Sequence, residues 1–256
     1  MDYGISGRIA VVTGASRGIG RAIAEVLARE GAAVAAVARS EDALDELVAS
    51  IRARGGEAAA IQADLSDWHR AAKIPAEVES ALGAAPSIAV LSHAHMTPLG
   101  KVHSLSPERV IATLSVDLHA SLALLGALTP EMMAARFGRV VAVGSVIGRI
   151  GQPRSPINSA VKAALEGVIR NVALDFGRYG ITANVVAPGF VDNERQLERT
   201  PDPAVRARLA KAAATGAMAT PAQVAEVVAF LCSRAAAQVT GAVIPVDGGL
   251  HIGNLA

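Results

Sequence analysis

Three groups of residues in this 256-residue chain have the types and spacing that chemistry requires. The first is Thr13-Gly14-Ala15-Ser16-Arg17-Gly18-Ile19-Gly20, a glycine turn between an apolar run and a helical pattern. A strand feeding such a turn and then a helix gathers bare backbone N–H groups and the positive end of a helix dipole at one point, which suits a pyrophosphate. Gly14 and Gly18 supply turn dihedrals closed to larger residues, and Gly20 lets the helix pack tightly on the sheet. The second group closes the next apolar runs. Val37-Ala38-Arg39-Ser40 carries no acid where dinucleotide folds bind ribose hydroxyls, but offers Arg39, with Arg17 in reach. Two arginines there suit a 2′-phosphate, so NADP(H) is expected over NAD(H). In Asp64-Leu65 the carboxylate either holds an adenine amino group or begins a turn. The third group is polar and ionisable: His93, His95, Asp117, Ser145, Asn158 and Lys162. Histidine titrates near neutrality, so His95 beside Asp117 can act as general base and acid. An ionised Asp117 can instead stabilise a cation.

These residues need elements to position them. Short apolar or β-branched runs predict strands at 8–13, 33–38, 57–62, 88–92, 139–144, 182–187 and 242–246. Between them helical patterns run over 20–30, 41–53, 67–81, 107–135, 156–178 and 221–233. Such alternation predicts an α/β chain, a single-domain Rossmann fold whose doubly wound parallel sheet of about seven strands carries helices on both faces. Ligands then bind beyond the C-terminal strand ends, where strand order reverses. The charge-rich stretch 191–216 reads as a mobile lid, and its Arg195, Arg199, Arg206 and Arg208 either steer an anion or line a solvated helix. The loop 148–156 is expected to form the opposite wall.

Composition narrows the class. The chain is 52% hydrophobic with only 3% aromatics, so its core packs small side chains. One domain over 1–256 is expected. A net charge of +1 with no basic run excludes electrostatic nucleic-acid binding. No uninterrupted apolar run approaches the roughly 20 residues of a membrane span. The stretch from Met1 to Ser6 lacks the regions of a signal peptide, so a cytoplasmic location is expected. The single cysteine, Cys232, reads as a small core residue, and no metal is expected.

On these motifs the chain strongly resembles the short-chain dehydrogenase/reductase family over essentially its whole length. The glycine loop matches that family's TGxxxGIG pattern in full. Asp64-Leu65, Gly144-Ser145, Lys162-Ala163-Ala164, Asn184-Val185-Val186-Ala187-Pro188-Gly189 and Val246-Asp247-Gly248-Gly249 fall at its spacings. The resemblance implies a nicotinamide cofactor, a small-molecule substrate and a homotetramer or dimer. It also implies cofactor contacts at Gly14, Ser16, Arg17, Gly18, Ile19, Gly20, Arg39, Asp64, Leu65, Ala94, Lys162, Pro188, Gly189 and Val191.

Half of the family's Asn-Ser-Tyr-Lys tetrad is replaced. Ser145 and Lys162 are kept, Asn158 stands at the tyrosine position and Asp117 at the asparagine position. The segment that reads NNAG in the family is Ser92-His93-Ala94-His95. An amide donates a hydrogen bond but delivers no proton at neutral pH, and positioned acid catalysis is worth roughly 10²–10⁴ in rate. Ordinary ketone reduction by the family's route is therefore not expected. A protonated imine already carries its proton, so reduction of C=N or of an activated C=C or C=O is the leading expectation. The alternatives are a non-redox cyclase, dehydratase or isomerase using His95 and Asp117, and a catalytically silent nucleotide-binding relative.

Overall fold

Seven runs that are apolar on both alternating faces form the sheet of the computed structural model, which describes residues 3–95 and 99–253. The strands are β1 (Ile9–Thr13), β2 (Ala33–Ala38), β3 (Ala58–Gln62), β4 (Ile88–Leu91), β5 (Gly138–Val143), β6 (Ile181–Pro188) and β7 (Val243–Val246). Each end lies within one residue of its predicted place. All pair in parallel in the order β3-β2-β1-β4-β5-β6-β7. Ala10 and Val12 of β1 join one core cluster, Ile9 and Val11 the other. Alternate side chains of a strand point to opposite faces, so a sheet covered on both sides reads as continuously apolar.

The first cluster is closed by α1 (Gly18–Arg29), α2 (Glu41–Ala53) and α11 (Pro221–Cys232), through residues such as Leu27, Leu44 and Val228. The second is closed by α4 (Ile74–Leu82), α6 (Ala120–Ala134) and α8 (Pro156–Phe176), through Ile74, Leu124, Leu128 and Ile169. Cys232 is fully buried in the first cluster, and burial pushes its thiol pKa up to about 12, which keeps it a protonated core residue.

Two predicted helices are divided. The pattern over 67–81 breaks into α3 (Trp68–Ala71) and α4, because Pro75 has no N–H and fits only the first turn of a helix. The pattern over 107–135 becomes α5 (Pro107–Leu114), a π turn (Ser115–His119) and α6. Such turns insert an extra residue, often at functional sites. This one carries Asp117 into the interior. Two short helices, α9 (Glu194–Arg199) and α10 (Pro203–Lys211), occupy the predicted lid, and α7 (Ile147–Ile150) follows β5. Among the described residues the stretch Pro107–Ala134 is long and apolar enough to cross a membrane by length and composition alone, although Glu108, Arg109, Asp117 and Glu131 interrupt its apolar run. Its Ala120, Leu124, Leu128 and Met132 are buried against the sheet. Met1, Asp2 and residues 254–256, part of the expected unit 1–256, lie outside the described residues.

Candidate active site

Strand order reverses between β1 and β4, and the segments leaving these two strands flank one elongated cavity of about 820 Å³. Its outer part is the glycine loop. Gly14 and Gly18 have φ of +68° and +58°, the left-handed region that favours glycine. A Cβ on Gly14 would sit 2.8 Å from the Ser92 carbonyl oxygen, so the loop lies against the chain leaving β4. Gly20 is needed for a different contact from the one expected. A Cβ there would fall 2.2 Å from the Gly14 carbonyl oxygen, so the helix start folds back on its own loop. No side chain caps α1, whose first backbone N–H groups are the ones a helix leaves for an anion.

Around this cradle the charges are set for a nucleotide. Asp64 accepts the Ser66 N–H at 2.9 Å, and that bond holds its carboxyl below the usual carboxylate range. Arg39 lines the cavity, exposed, and forms no ion pair among the described residues. Arg17 reaches across to α9 and pairs with Glu198 at 2.5 Å. Cavity size, uncapped helix and glycine turn together fit a dinucleotide with a phosphorylated ribose.

At the inner end, Asn158 and Lys162 stand one turn apart on α8, Ser145 follows β5, and Asp117 comes from the π turn. Asp117 is buried; its Oδ1 accepts the backbone N–H of His95 at 2.6 Å. Its Oδ2 has no hydrogen-bond partner among the described residues and faces Lys162 Nζ at 4.0 Å. Burial pushes the Lys162 pKa below that of an ordinary lysine, with Asp117 working against it. Lys162 also donates to the Val143 carbonyl at 3.4 Å. The Ser145 hydroxyl donates to the Pro188 carbonyl at 3.3 Å, and Asn158 Nδ2 donates to Ser155 Oγ at 3.3 Å. Neither of the chain's two tyrosines, Tyr3 and Tyr179, lines the cavity.

The histidines separate. Ser121 donates to the Asp117 carbonyl at 2.9 Å and lies 3.1 Å from His93 Nε2. His93 Nδ1 lies 2.7 Å from the Thr13 hydroxyl, which also reaches the Val90 carbonyl at 3.2 Å. Burial pushes the His93 pKa down to about 4, and the ring is a neutral strut between β1 and α6. Thr113 donates to the Arg109 carbonyl at 2.9 Å and accepts from His95 Nδ1 at 3.4 Å. The expected acid–base partnership of His95 with Asp117 is not formed by the imidazole, because only the His95 backbone reaches the carboxylate.

Every predicted site residue lines this one cavity: Gly14, Ser16, Arg17, Gly18, Ile19, Gly20, Arg39, Asp64, Leu65, Ala94, His95, Asp117, Ser145, Asn158, Lys162, Pro188, Gly189 and Val191. The wall expected from 148–156 is supplied instead by Ile147, just before it. Of the four lid arginines only Arg195 and Arg199 line the cavity; Arg206 pairs with Asp192. Asn193 was not foreseen as a site residue. Its side chain caps α9 through the Gln196 N–H and lies near Gly18, a role signalled only by its place just before a helical run. The Asp247 motif proves structural. Asp247 accepts the N–H groups of Gly249 and His251 and backs directly on Gly189.

A family model described as enoyl-(acyl carrier protein) reductase matches residues 14–251. A 3-oxoacyl-[acyl-carrier-protein] reductase from Pseudomonas aeruginosa is 34% identical over 248 residues, 97% of this chain and 99% of that protein. A cis-4-hydroxycyclohexanecarboxylate dehydrogenase from Sinomonas cyclohexanicum is 35% identical over 250 residues, 97% of this chain and 98% of that one. The crystal structure of a 3-oxoacyl (acyl-carrier-protein) reductase from Agrobacterium tumefaciens with NADP bound superposes with a TM-score of 0.92 at 31% identity, covering 97% of this chain and 96% of that one.

Proposed function

The chain belongs to the short-chain dehydrogenase/reductase family, and from that membership we propose an NADP(H)-dependent reductase acting on a small-molecule C=N bond, or on an activated C=C or C=O bond, without a tyrosine acid. The relatives named above are a 3-oxoacyl-[acyl-carrier-protein] reductase and a cis-4-hydroxycyclohexanecarboxylate dehydrogenase, which supports oxidoreductase chemistry. One observation carries the finer reading. The cavity around Lys162 holds a buried carboxylate, Asp117, and no phenol.

The residues divide the work. Gly14, Gly18 and the start of α1 hold the pyrophosphate, Arg39 and Arg17 the 2′-phosphate, Asp64 the adenine end, and Lys162 the nicotinamide ribose. NADPH, when bound, supplies a hydride. A protonated imine keeps its own proton as the C=N π pair becomes the lone pair of the product nitrogen. The site must then tolerate a cation rather than deliver a proton. Asp117 serves that need, with an oxygen that has no hydrogen-bond partner among the described residues and a buried side chain. Ser145 and Asn158 orient the substrate nitrogen or its neighbour through their hydroxyl and amide.

The test is NADPH absorbance with 2-methyl-1-pyrroline against cyclopentanone. The imine is expected to be reduced and the ketone scarcely at all. Asp117→Asn keeps an acceptor for the His95 N–H but loses the charge, so imine reduction should fall roughly 10²-fold with NADPH affinity retained. Asn158→Tyr should raise ketone reduction, because Lys162 already stands one turn away to lower the new phenol's pKa. Ketone turnover by the natural protein as fast as imine turnover would overturn the reading. Substrate conversion at constant NADPH absorbance, abolished by His95→Ala, would replace it with non-redox chemistry.

A further inference from the structure

We propose that the substrate of this cavity is an anion, a carboxylate in the first instance, and that Arg195 binds it. The inference rests on the reading of the cavity's inner end as a substrate site. Arg195 projects from α9 into the cavity and donates to the His95 carbonyl at 3.1 Å. A guanidinium has five N–H donors in a planar fork, and this bond leaves most of them unused. Arg195 is half-buried and forms no ion pair among the described residues.

Its cationic neighbours differ. Arg17 pairs with Glu198, Arg206 with Asp192, and Lys162 faces Asp117. Arg199, on the same short helix, also lines the cavity and adds like charge. Burial, with Arg199 and Arg17 beside it, pulls the Arg195 pKa below the ordinary value, while Asp117 and Glu198 work against the shift without reversing it. A half-buried cation beside like charges is stabilised by an anion that enters the cavity. The fork of Arg195 matches a carboxylate with two parallel hydrogen bonds.

The cofactor's phosphates are not its expected partner. They belong to the start of α1 and to Arg17 and Arg39, whereas Arg195 is bonded to the segment leaving β4. Asp117 binds the N–H of the same residue whose carbonyl Arg195 holds. Arg195 therefore stands over the Asp117–Lys162 end, where a reacting group would lie.

The test is calorimetric titration of the NADPH-saturated protein with cyclohexanecarboxylate and cyclohexanecarboxamide, an isosteric pair differing in charge. The carboxylate is expected to bind about ten-fold or more tighter than the amide, as a charge-assisted bidentate contact requires. Arg195→Ala should remove that preference and leave the amide unchanged, and Arg195→Lys should recover part of it. NADPH affinity should stay within about two-fold in both variants, since neither touches the α1 cradle. Equal binding of the pair by the natural protein, or no carboxylate binding at millimolar concentration, would overturn the proposal without recourse to any variant. A loss in Arg195→Ala confined to NADPH would assign the residue to a cofactor phosphate and overturn it equally. Binding needs no turnover, so failure of imine reduction would count against the reaction proposed above and leave this measurement standing.

Discussion

His93 shows how one residue ties the site to the stability of the fold. Its ring joins Thr13 of β1 to Ser121 of α6, and burial holds its pKa at about 4 against 6.5 for an ordinary histidine. Between those values an unfolded chain takes up a proton that the folded chain refuses. The contribution is therefore complete above pH 6.5 and is lost as pH falls to 4, a change of about 3 kcal/mol at 1.36 kcal/mol per pH unit. Urea midpoints measured across that window should drop steeply for the natural protein and much less for His93→Asn. An equal drop in both would assign the acid transition to another group. The pairing of two histidines in Ser92-His93-Ala94-His95 was legible in the sequence, but the partners that hold each ring were not. These are Thr113 and Ser121, hydroxyls far off in the chain that carry no motif, and Thr13, which opens the glycine motif. Arg195 was visible only as one of four lid arginines, because its burial is decided by where α9 docks.

At the scale of elements, α9 links the lid to the cofactor cradle through Glu198 and Arg17. That pair is about half exposed on both sides, and surface ion pairs contribute roughly 0–1 kcal/mol. A charge-assisted phosphate contact is worth about 1.5–3 kcal/mol, so a 2′-phosphate should draw Arg17 away from Glu198. NADPH is accordingly expected to bind at least about ten-fold tighter than NADH. Arg39→Ala should remove most of that margin while leaving NADH unaffected, and Glu198→Gln should tighten NADPH a few-fold by releasing Arg17. Calorimetry giving equal affinities for the two nucleotides in the natural protein would sink this account. The strands were readable to within a residue because a doubly covered parallel sheet demands runs apolar on both faces. The π turn was not readable, since its hydrophobic pattern is that of an uninterrupted helix. What gives it away is Asp117, whose carboxylate is pulled inward to the His95 N–H.

The molecule as a whole leaves one apolar surface unexplained by its own fold. The α5–α6 helix and α8 bury one side against the sheet, yet Ile111, Leu122 and Leu174 on their outer sides are 62%, 47% and 81% exposed. Large apolar side chains exposed on neighbouring helices are available to a contact surface. The family resemblance assigns this pair of helices to self-association, and a homotetramer, or at least a dimer, is the expected state. A stable interface buries about 1,600 Å² in all, an area that two helices from each copy can supply. Light scattering at micromolar concentration should therefore give a multiple of 26.0 kDa. Leu122→Glu combined with Leu174→Glu should yield a monomer, because like charges would meet across a two-fold axis. The inner sides of these helices carry Asp117 and Lys162, whereas the cradle around Gly14 and Arg39 lies across β1 and β2. The monomeric variant should accordingly lose turnover while NADPH affinity is largely kept. A natural protein that is already monomeric at micromolar concentration would reject self-association and leave the apolar face to a different partner.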